Sequence, residues 1–320
     1  MTSPKTILVT GPAGFIGSNF VQKFKSQFPR VKIIGIDDFS TGRRAALDKT
    51  ITFYNGSIAD RGLLIKIFEK HKPEYIFHFA ALPRVSYSIA EPTKSSLVNI
   101  LGTVLLLEMA KDYKTKRVII SSSSSVYGDA KKLPTSEIKN EPHPISPYAL
   151  QKYTDELFAK MFSKIYGMDT VCLRYFNVFG PGQRGDAPYA TVIGAWLEGL
   201  YFPNNKELFI EGDGSQSRDF CFVHNVVEAN ILAMKRSKKF NGDCFNIAGG
   251  RRVNLRTVKQ LIEKYTNRKL HLEKRPARLG DIKHTEADIN KARRLLGYQP
   301  KVNFKDGLKQ TVSWFKTIKK

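Results

Sequence analysis

The chain has 320 residues, of which 42% are hydrophobic and 25% charged, a composition typical of a folded globular protein and not of a disordered one. Lys and Arg number 52 against 29 Asp and Glu, which gives a formal net charge of +23. A field of that sign favours anionic partners, but the basic residues are spread along the chain without alternating with aromatic ones, so we interpret them as a solvated surface and expect no nucleic-acid partner.

No stretch approaches the ~18 uninterrupted apolar residues that a membrane helix needs, and Met1–Thr10 shows no secretory signal. The three cysteines, Cys172, Cys221 and Cys244, form no CxxC pair. We therefore expect free thiols in a reducing cytoplasm, with no disulfide, no metal site and no membrane partner.

In the first half of the chain, short apolar runs rich in β-branched residues alternate with segments of helical period. The predicted strands are Thr6–Thr10, Val31–Ile36, Ile51–Tyr54, Tyr75–Phe79, Arg117–Ser121 and Thr170–Arg174. The predicted helices are Phe15–Phe28, Arg61–His71, Glu91–Tyr113 and Pro147–Tyr166. Strands that are apolar on both faces and joined by helices indicate right-handed βαβ crossovers. The sequence therefore predicts an α/β fold with a doubly wound parallel sheet.

After Asn177 the pattern changes to short strands and turns rich in Gly, Pro and Asn. The predicted strands of this part are Leu208–Glu211, Arg218–Val223 and Cys244–Ala248. They predict a smaller mixed α/β domain beside the ends of the sheet. We assign 1–177 to the sheet domain, with 218–249 returning to it, and 178–217 and 250–320 to the smaller domain.

A glycine-rich turn links the first strand to the first helix, with Gly11, Gly14 and Gly17 spaced as GxxGxxG. Such glycines allow the backbone to approach a pyrophosphate, which the helix N-terminus then stabilises. Asp37 ends the next strand, twenty residues after Gly17, where a carboxylate accepts hydrogen bonds from the adenosine ribose and repels a 2′-phosphate. This pattern favours NAD, although Arg43 and Arg44 lie near enough in sequence to bind the extra phosphate of NADP.

A YxxxK pair lies at the start of the helix that opens with Ser146-Pro147, residues suited to the N-cap and the first helical position. Tyr148 and Lys152 are at i and i+4, so they share one helix face. The pKa of a free tyrosine is about 10, and a neighbouring ammonium and an oxidised nicotinamide both favour the phenolate that a base needs. Upstream, Ser121–Ser125 follow a buried strand, at the sheet edge where ligands of such folds bind.

These segments (TGPAGFIG, IDDFSTG, HFAA, SSSSSVYG, SPYALQK, RYFNVFGPGQ and EGDGSQSRDF) resemble the extended short-chain dehydrogenase/reductase family. The resemblance covers nearly the whole chain, and the chain is most similar to the UDP-sugar 4-epimerases, which have a Rossmann sheet. It implies that Tyr148 is the catalytic base, that Lys152 lowers its pKa and binds the nicotinamide ribose, and that Ser123 hydrogen-bonds the sugar O4. Because the serine run is degenerate, Ser122 and Ser124 remain alternatives for the last role.

The resemblance also implies the remaining ligand contacts. For NAD they are Gly11, Gly14, Phe15, Ile16, Gly17, Asp37, Asp38, Ser40, Thr41, Gly42, Ser57, Ile58, Ala80, Ala81, Leu82, Asn99, Tyr148, Lys152 and Tyr175. For the UDP-sugar they are Ser123, Ser124, Asn177, Val192, Arg218, Arg278, Asp281 and Thr285. Two positions depart from the family pattern: Ser57 stands where an adenine-contacting aspartate is frequent, and Gly194 replaces a proline beside the uracil.

The resemblance favours reversible C4 epimerisation through a 4-keto sugar, because Ser124 and Ser125 occupy positions where dehydrating relatives carry acids. A small side chain at Thr285 predicts room for an N-acetyl group, so both UDP-hexoses and UDP-N-acetylhexosamines are expected substrates. UDP-glucuronate epimerisation, release of reduced cofactor as a dehydrogenase, and a non-catalytic protein that binds polyanions are the alternatives. A homodimer is expected through the segments Glu91–Tyr113 and Pro147–Tyr166.

Overall fold

The computed structural model describes residues 4–186, 191–202, 207–276 and 283–318. Within these ranges the strands, numbered in chain order, are β1 (Thr6–Thr10), β2 (Lys32–Asp37), β3 (Thr52–Asn55), β4 (Tyr75–His78), β5 (Arg117–Ser123), β6 (Thr170–Tyr175), β7 (Val178–Phe179), β8 (Phe209–Glu211), β9 (Ser217–Asp219), β10 (Cys221–Phe222), β11 (Asp243–Ile247), β12 (Arg252–Asn254) and β13 (Glu273–Arg275).

The α-helices of the same ranges are α1 (Phe15–Gln27), α2 (Arg61–His71), α3 (Val85–Ala90), α4 (Pro92–Ser96), α5 (Gly102–Asp112), α6 (Pro147–Tyr166), α7 (Val192–Tyr201), α8 (Val223–Lys235), α9 (Leu255–Thr266), α10 (Asn290–Leu296) and α11 (Phe304–Ile318). A π-helical segment, Leu97–Leu101, joins α4 to α5, and 3₁₀ turns cover Arg44–Ala46 and Ser124–Tyr127. None of the helices described here is long and apolar enough to cross a membrane.

Seven strands form one parallel sheet in the order β11-β6-β5-β4-β1-β2-β3. The chain runs outward from β1 to β3 and then returns past β1 to β4, so the strand order reverses between β1 and β4. Such a reversal is where ligands bind in open α/β sheets, at the carboxyl ends of the strands. The predicted doubly wound parallel sheet is therefore confirmed.

Most predicted boundaries agree with the structure to within one or two residues, and two segments differ in kind. The predicted helix Glu91–Tyr113 is a helical stretch whose middle turn is π-helical. The predicted strand Arg218–Val223 is divided, because β9 pairs with β12, β10 pairs with β7, and Val223 already begins α8. The pairing partners are distant in sequence, so local periodicity did not reveal the division.

Three apolar clusters support this architecture. One packs α1 and α8 against one face of the sheet, and a second packs α2, α5 and α6 against the other. The third cluster, which includes Trp196, Phe222 and Phe315, holds α7, α9 and α11 together in the smaller mixed α/β part. Because both faces of the sheet are covered, polar side chains at the carboxyl edge of its strands are left to face a cavity between the two parts.

Candidate active site

A cavity of about 1080 Å³ lies between the carboxyl edge of the sheet and the smaller part of the chain. Pockets for one small ligand usually occupy about 300 to 1000 Å³. This cavity is lined at one end by the turn before α1 and at the other by Asn177, Arg218 and Thr285. Its volume therefore lies at the upper end of that range, and its lining extends from the glycine-rich turn to Arg218 and Thr285.

The glycine-rich turn is built so that no side chain occupies its inner surface. Gly11 has φ +71°, and a Cβ there would lie 2.9 Å from the Ala80 backbone nitrogen. A Cβ on Gly17 would lie 2.0 Å from the Gly11 carbonyl oxygen, so only glycine allows α1 to pack this closely on the turn. No side chain caps α1 at Gly14. The helix N-terminus is thus available to a pyrophosphate.

Asp37 lies at the end of β2, beside this turn. Its Oδ2 accepts a hydrogen bond from the Ala13 backbone N–H at 2.9 Å, and its Oδ1 accepts one from Phe39 N–H at 2.8 Å. Burial raises the pKa of the carboxyl, and the two backbone donors oppose that rise. The carboxylate is held rigidly at the cavity wall, where it fits the ribose hydroxyls of NAD.

The two arginines that could have bound a 2′-phosphate already have other partners. Arg43 pairs with Asp186 at 2.7 Å, and the Arg44 guanidinium lies 4.4 Å from the centre of the Phe39 ring. With Asp37 facing the ribose position, the donor set fits NAD better than NADP.

Helix α6 begins at the residues that the sequence predicted. The Ser146 side chain caps it by accepting a hydrogen bond from Ala149 N–H at 3.2 Å. Tyr148 N–H donates to Ser88 Oγ at 2.9 Å, which ties the first turn of α6 to α3. Tyr148 and Lys152 both line the cavity, one helical turn apart. The cap and the tie to α3 therefore fix the position of the helical turn that carries Tyr148.

The serine run alternates between two environments, as a β-strand requires. The Ser122 hydroxyl is buried and donates to Glu156 Oε1 at 2.5 Å, behind the strand. Ser123 lies on the cavity side, where its Oγ accepts hydrogen bonds from Ser125 N–H and Oγ–H at 3.1 and 2.9 Å. It also hydrogen-bonds the Tyr148 phenol. Of these serines, Ser123 is the one that the fold brings to Tyr148, whereas Ser122 is committed to Glu156.

The surroundings of the Tyr148 phenol shift its pKa in opposite directions. Burial raises the pKa of Tyr148, while Lys152 and the Ser123 hydrogen bond act to lower it. Burial acts to lower the pKa of Lys152, but Asp155 and Tyr148 outweigh it, so the pKa of Lys152 is raised and its ammonium stays charged. The arrangement supplies a phenol, a hydroxyl and a permanent cation at one point, which is the equipment for removing a proton from an alcohol.

Most of the predicted cofactor residues line the cavity: Gly11, Gly14, Phe15, Ile16, Gly17, Asp37, Asp38, Ser40, Thr41, Ser57, Ile58, Ala80, Ala81, Tyr148, Lys152 and Tyr175. The Tyr175 hydroxyl is itself bonded to Asn230 and Ser121, so only its ring is presented to a ligand.

Gly42, Leu82 and Asn99 do not line the cavity. Asn99 is buried behind the loop that follows β4: its Oδ1 accepts from Leu82 N–H at 2.8 Å, and its Nδ2 donates to Leu82 O and to Gln151 Oε1. A direct contact from Asn99 to a cofactor was predicted, but the structure gives it a supporting position, in which it ties that loop to α6.

The predicted substrate residues Ser123, Ser124, Asn177, Val192, Arg218 and Thr285 also line the cavity. Arg218 is held by β9, and its Nη1 donates to the carbonyls of Ser217 and Lys283, both at 3.1 Å. Thr285 is fixed beside it, because its Oγ1 accepts a hydrogen bond from Asp219 N–H at 3.3 Å. Arg278 and Asp281 lie outside the described residues.

Sequence reasoning missed two charged groups, one that lines the cavity and one buried behind its wall. Arg84 precedes α3 and lines the cavity, and burial lowers the pKa of its guanidinium. Its position two residues after the Ala80–Leu82 loop was the signal available. Asp155 lies behind Lys152, and its only signal was a charged residue at i+3 on a helix face that is otherwise buried.

A family model described as GDP-mannose 4,6 dehydratase matches residues 8–311 of the chain. Among curated relatives, a UDP-glucose 4-epimerase of Mycolicibacterium smegmatis is 35% identical over 315 residues, which cover 97% of this chain and 98% of that protein. A UDP-glucuronate 4-epimerase of Thermodesulfobacterium geofontis is 31% identical over 97% of this chain and 95% of its own length.

Solved structures match over the same extent. A Thermotoga maritima UDP-glucose 4-epimerase with UDP-glucose superposes with a TM-score of 0.92 at 37% identity, over 98% of this chain and all of that one. A Methanobrevibacter ruminantium UDP-N-acetylglucosamine 4-epimerase with UDP-N-acetylmuramic acid gives 0.90 at 34% identity, over 99% and 100%. A Thermus thermophilus UDP-glucose 4-epimerase in complex with NAD gives 0.88 at 28% identity, over 97% and 99%.

Proposed function

The chain belongs to the GDP-mannose 4,6-dehydratase family, within the extended short-chain dehydrogenase/reductases, and on that basis we propose that it reversibly inverts C4 of a UDP-linked hexose or N-acetylhexosamine. The family match confirms the resemblance seen in the sequence, and the protein is an NAD-dependent enzyme. The observation that carries the proposal is the meeting of Ser123, Tyr148 and Lys152 at the middle of one cavity, between the glycine-rich turn and Arg218.

In the proposed reaction, NAD supplies a hydride acceptor and a positive charge beside the phenol when it is bound. The Tyr148 phenolate takes the proton from the sugar O4 while the hydride leaves C4, which converts the alcohol to a ketone. Lys152 stabilises the phenolate, and Ser123 hydrogen-bonds the oxygen that becomes the carbonyl. Once the sugar has turned over, return of the hydride from bound cofactor to the opposite face of C4, with Tyr148 giving the proton back to O4, would restore an inverted alcohol and leave no net redox change.

Epimerisation is favoured over dehydration by the two residues next to Ser123 in the chain. Ser125 Oγ–H donates to Ser123, and Ser124 lines the cavity, so hydroxyls and not carboxyls stand where elimination of water would need an acid. With no group to protonate a leaving hydroxyl at these two positions, renewed reduction of the ketone is favoured over loss of water.

Each part of the site has a proposed role in binding. The turn of Gly11, Gly14 and Gly17 binds the pyrophosphate of NAD, Asp37 binds the adenosine ribose, and Lys152 reaches the nicotinamide ribose. Arg218 neutralises the UDP diphosphate as a permanently charged donor. The small side chain of Thr285, held against β9, leaves room for an N-acetyl group at C2.

A second candidate substrate, UDP-glucuronate, is favoured by Arg84. This guanidinium lies on the cavity wall one helical turn before Ser88, the residue whose hydroxyl accepts from Tyr148 N–H. A cation on the wall of the same cavity would attract a sugar carboxylate. The identity to a UDP-glucuronate 4-epimerase points in the same direction.

We also propose a homodimer. Apolar side chains of α3, of the stretch 97–112 and of α6 are exposed by between 39% and 62%: Val85, Ile89, Leu97, Leu101, Leu150, Leu157, Met161, Ile165 and Tyr166. On α6, Leu150, Leu157, Met161 and Ile165 follow one another at intervals of seven, four and four residues, which forms one stripe. A second copy of the same stripe is the partner that would cover it symmetrically.

The domain division and the location remain proposals. Strand β11 completes the sheet beside β6, and α8 packs on α1, which supports the assignment of 218–249 to the NAD-binding part. The three cysteines carry free thiols, in keeping with a cytoplasmic location.

Incubation of the purified protein with UDP-glucose, UDP-N-acetylglucosamine and UDP-glucuronate, followed by separation of the products, tests the proposal. We expect a C4 epimer from at least one of them without build-up of NADH. Tyr148→Phe should lower kcat by at least about a hundredfold, since general base catalysis contributes about 10² to 10⁴. Tyr265→Phe, in α9 and outside the cavity lining, is the matched control. Wild-type turnover by Tyr148→Phe would overturn the proposed function.

A further inference from the structure

One buried carboxylate beside the catalytic residues has no role in the reaction above. Asp155 follows Lys152 by three residues in α6, and its Oδ2 accepts a hydrogen bond from Lys152 Nζ at 3.0 Å. The two side chains are exposed by only 0% and 3%. The ammonium that acts on the Tyr148 phenol is therefore also in direct contact with a negative charge.

The surroundings of Asp155 do not explain it as a structural ion pair. Its Oδ1 has no hydrogen-bond partner among the described residues. The nearby Thr103 hydroxyl would favour the charged carboxylate, but it donates to the Asn99 carbonyl at 2.6 Å. A buried carboxylate that lacks part of its hydrogen bonding costs stability that an apolar side chain of similar size would not. Its position against Lys152 therefore points to a role in the reaction.

The other titratable groups packed around this pair are neutral or already paired. From β4, burial and Lys152 lower the pKa of His78 to about 3. From β6, a hydrogen bond with Cys244 and burial raise the pKa of Cys172 well above its usual value. On α6 itself, Glu156 is paired with Arg174 of β6 at 2.6 Å. The groups at this point whose charges act on one another are therefore Asp155, Lys152 and Tyr148, of which Lys152 stays charged.

Each of these three groups shifts the pKa of its neighbour. Burial raises the pKa of Asp155 to about 6, and Lys152 opposes the rise. Asp155 in turn acts to raise the pKa of Tyr148, whereas Lys152 acts to lower it. The carboxylate thus offsets part of the ammonium charge, and its contact with Nζ fixes where that charge lies.

We propose that Asp155 is a positioning residue that anchors the Lys152 ammonium behind the Tyr148 phenol and limits how much of its charge acts on that phenol. This role rests on the proposed function, in which Tyr148 is the base. In Asp155→Asn the amide oxygen can still accept from Nζ, but the negative charge is removed. The full ammonium charge then favours the phenolate.

The test is a titration of the Tyr148 phenol in the NAD-loaded enzyme. The absorbance difference between each protein and its Tyr148→Phe counterpart isolates this phenol from the other tyrosines. In Asp155→Asn we expect the phenol pKa to fall by about one unit, as expected for removal of a nearby like charge, and the acid limb of the kcat/KM profile to move to lower pH by the same amount.

Asp155→Glu keeps the charge but moves it by one methylene. For this variant we expect a kcat at least tenfold lower than that of the wild type, with a KM for the sugar nucleotide within twofold of the wild-type value.

Asp169→Asn is the matched control, because Asp169 belongs to another buried ion pair, with Arg117 at 2.6 Å. This pair lies at the amino ends of β5 and β6, whereas the cavity lies at the carboxyl ends of the strands. It should lower the melting temperature and leave the phenol titration unchanged. An Asp155→Asn protein that only melts earlier, with an unshifted titration and profile, overturns the proposal. If Asp155→Asn does not fold, Asp155→Glu with wild-type kcat overturns it. A shifted titration without turnover of any UDP-sugar would instead reject the proposed function and retain the role of Asp155.

Discussion

Ser122 and Ser123 are adjacent in β5, yet their hydroxyls lie on opposite faces of the sheet and have different partners. Ser122 donates to Glu156, which pairs with Arg174, so this hydroxyl belongs to a buried network that joins α6 to β5 and β6. Ser123 contacts the Tyr148 phenol across the cavity. The same chemical group therefore serves stability at one position and, in the proposed reaction, catalysis at the next.

This difference leads to a prediction for two alanine variants. Ser123→Ala should lower kcat about a hundredfold to a thousandfold, the usual effect of losing a donor to a developing oxyanion, with little change in the melting temperature. Ser122→Ala leaves the buried Glu156 short of one donor and should cost about 1 to 3 kcal/mol of unfolding free energy, with much of the activity kept. Product analysis and thermal unfolding of both variants provide the check, and the reverse pattern would assign catalysis to Ser122.

At the scale of elements, the glycine-rich turn and α1 form one unit, whose shape depends on the absence of a Cβ at Gly11 and Gly17. Gly17 lies in the first turn of the helix, directly against the Gly11 carbonyl, and Gly11 needs its positive φ to bring the chain under the helix end. The helix N-terminus is the part of this unit that would face a pyrophosphate.

Gly17→Ala should therefore damage both stability and cofactor binding. Its Cβ would lie 2.0 Å from the Gly11 oxygen, so the turn must move away from α1, at a cost of about 1 to 3 kcal/mol or more. We expect a lower melting temperature and loss of NAD from the purified protein, measured from released nucleotide. Gly62→Ala is the control, since a Cβ in α2 would meet only the Asp60 carboxylate, at 3.5 Å, and should be neutral or stabilising by up to about 1 kcal/mol. Full NAD occupancy in Gly17→Ala would argue against the pyrophosphate site.

Helix α6 shows how one element can serve three surfaces at once. Its first turn carries Tyr148 and Lys152 to the cavity, its inner face carries Ala159 and Phe162 to the core, and its outer face exposes Leu150, Leu157 and Ile165. A period of 3.6 residues separates these faces without conflict. Because the three faces belong to one helix, a partner that covers the outer stripe also bears on the position of Tyr148 and Lys152.

At the scale of the whole molecule, the exposed stripe predicts a dimer that a single charge would disrupt. Leu157→Glu places a carboxylate in the middle of the proposed interface, where a charge without a partner is costly to bury. Light scattering during size-exclusion chromatography should give twice the mass of the chain for the wild type and the mass of one chain for the variant. Ile138→Glu is the control, because Ile138 is 72% exposed and lies away from this stripe. A wild-type protein that elutes as a monomer would contradict the proposed dimer.

The sequence alone determined the features that depend on neighbouring residues. The parallel sheet, the glycine-rich turn with Asp37, and the Tyr148–Lys152 pair all rest on local spacing, because strand, turn and helix geometry repeat over a few residues. The same holds for the cap at Ser146, which marked the start of α6 correctly.

Only the tertiary structure decided which polar groups meet. It separated Ser123 from Ser122, placed Asn99 behind the cavity wall, turned Arg43 toward Asp186, and brought Asp155 against the ammonium of Lys152. The strand order and the division of residues 218–223 between two pairings also came from contacts distant in sequence. The reason is physical: periodicity indicates which face of an element is buried, but the partner of a buried polar side chain depends on the element packed against that face.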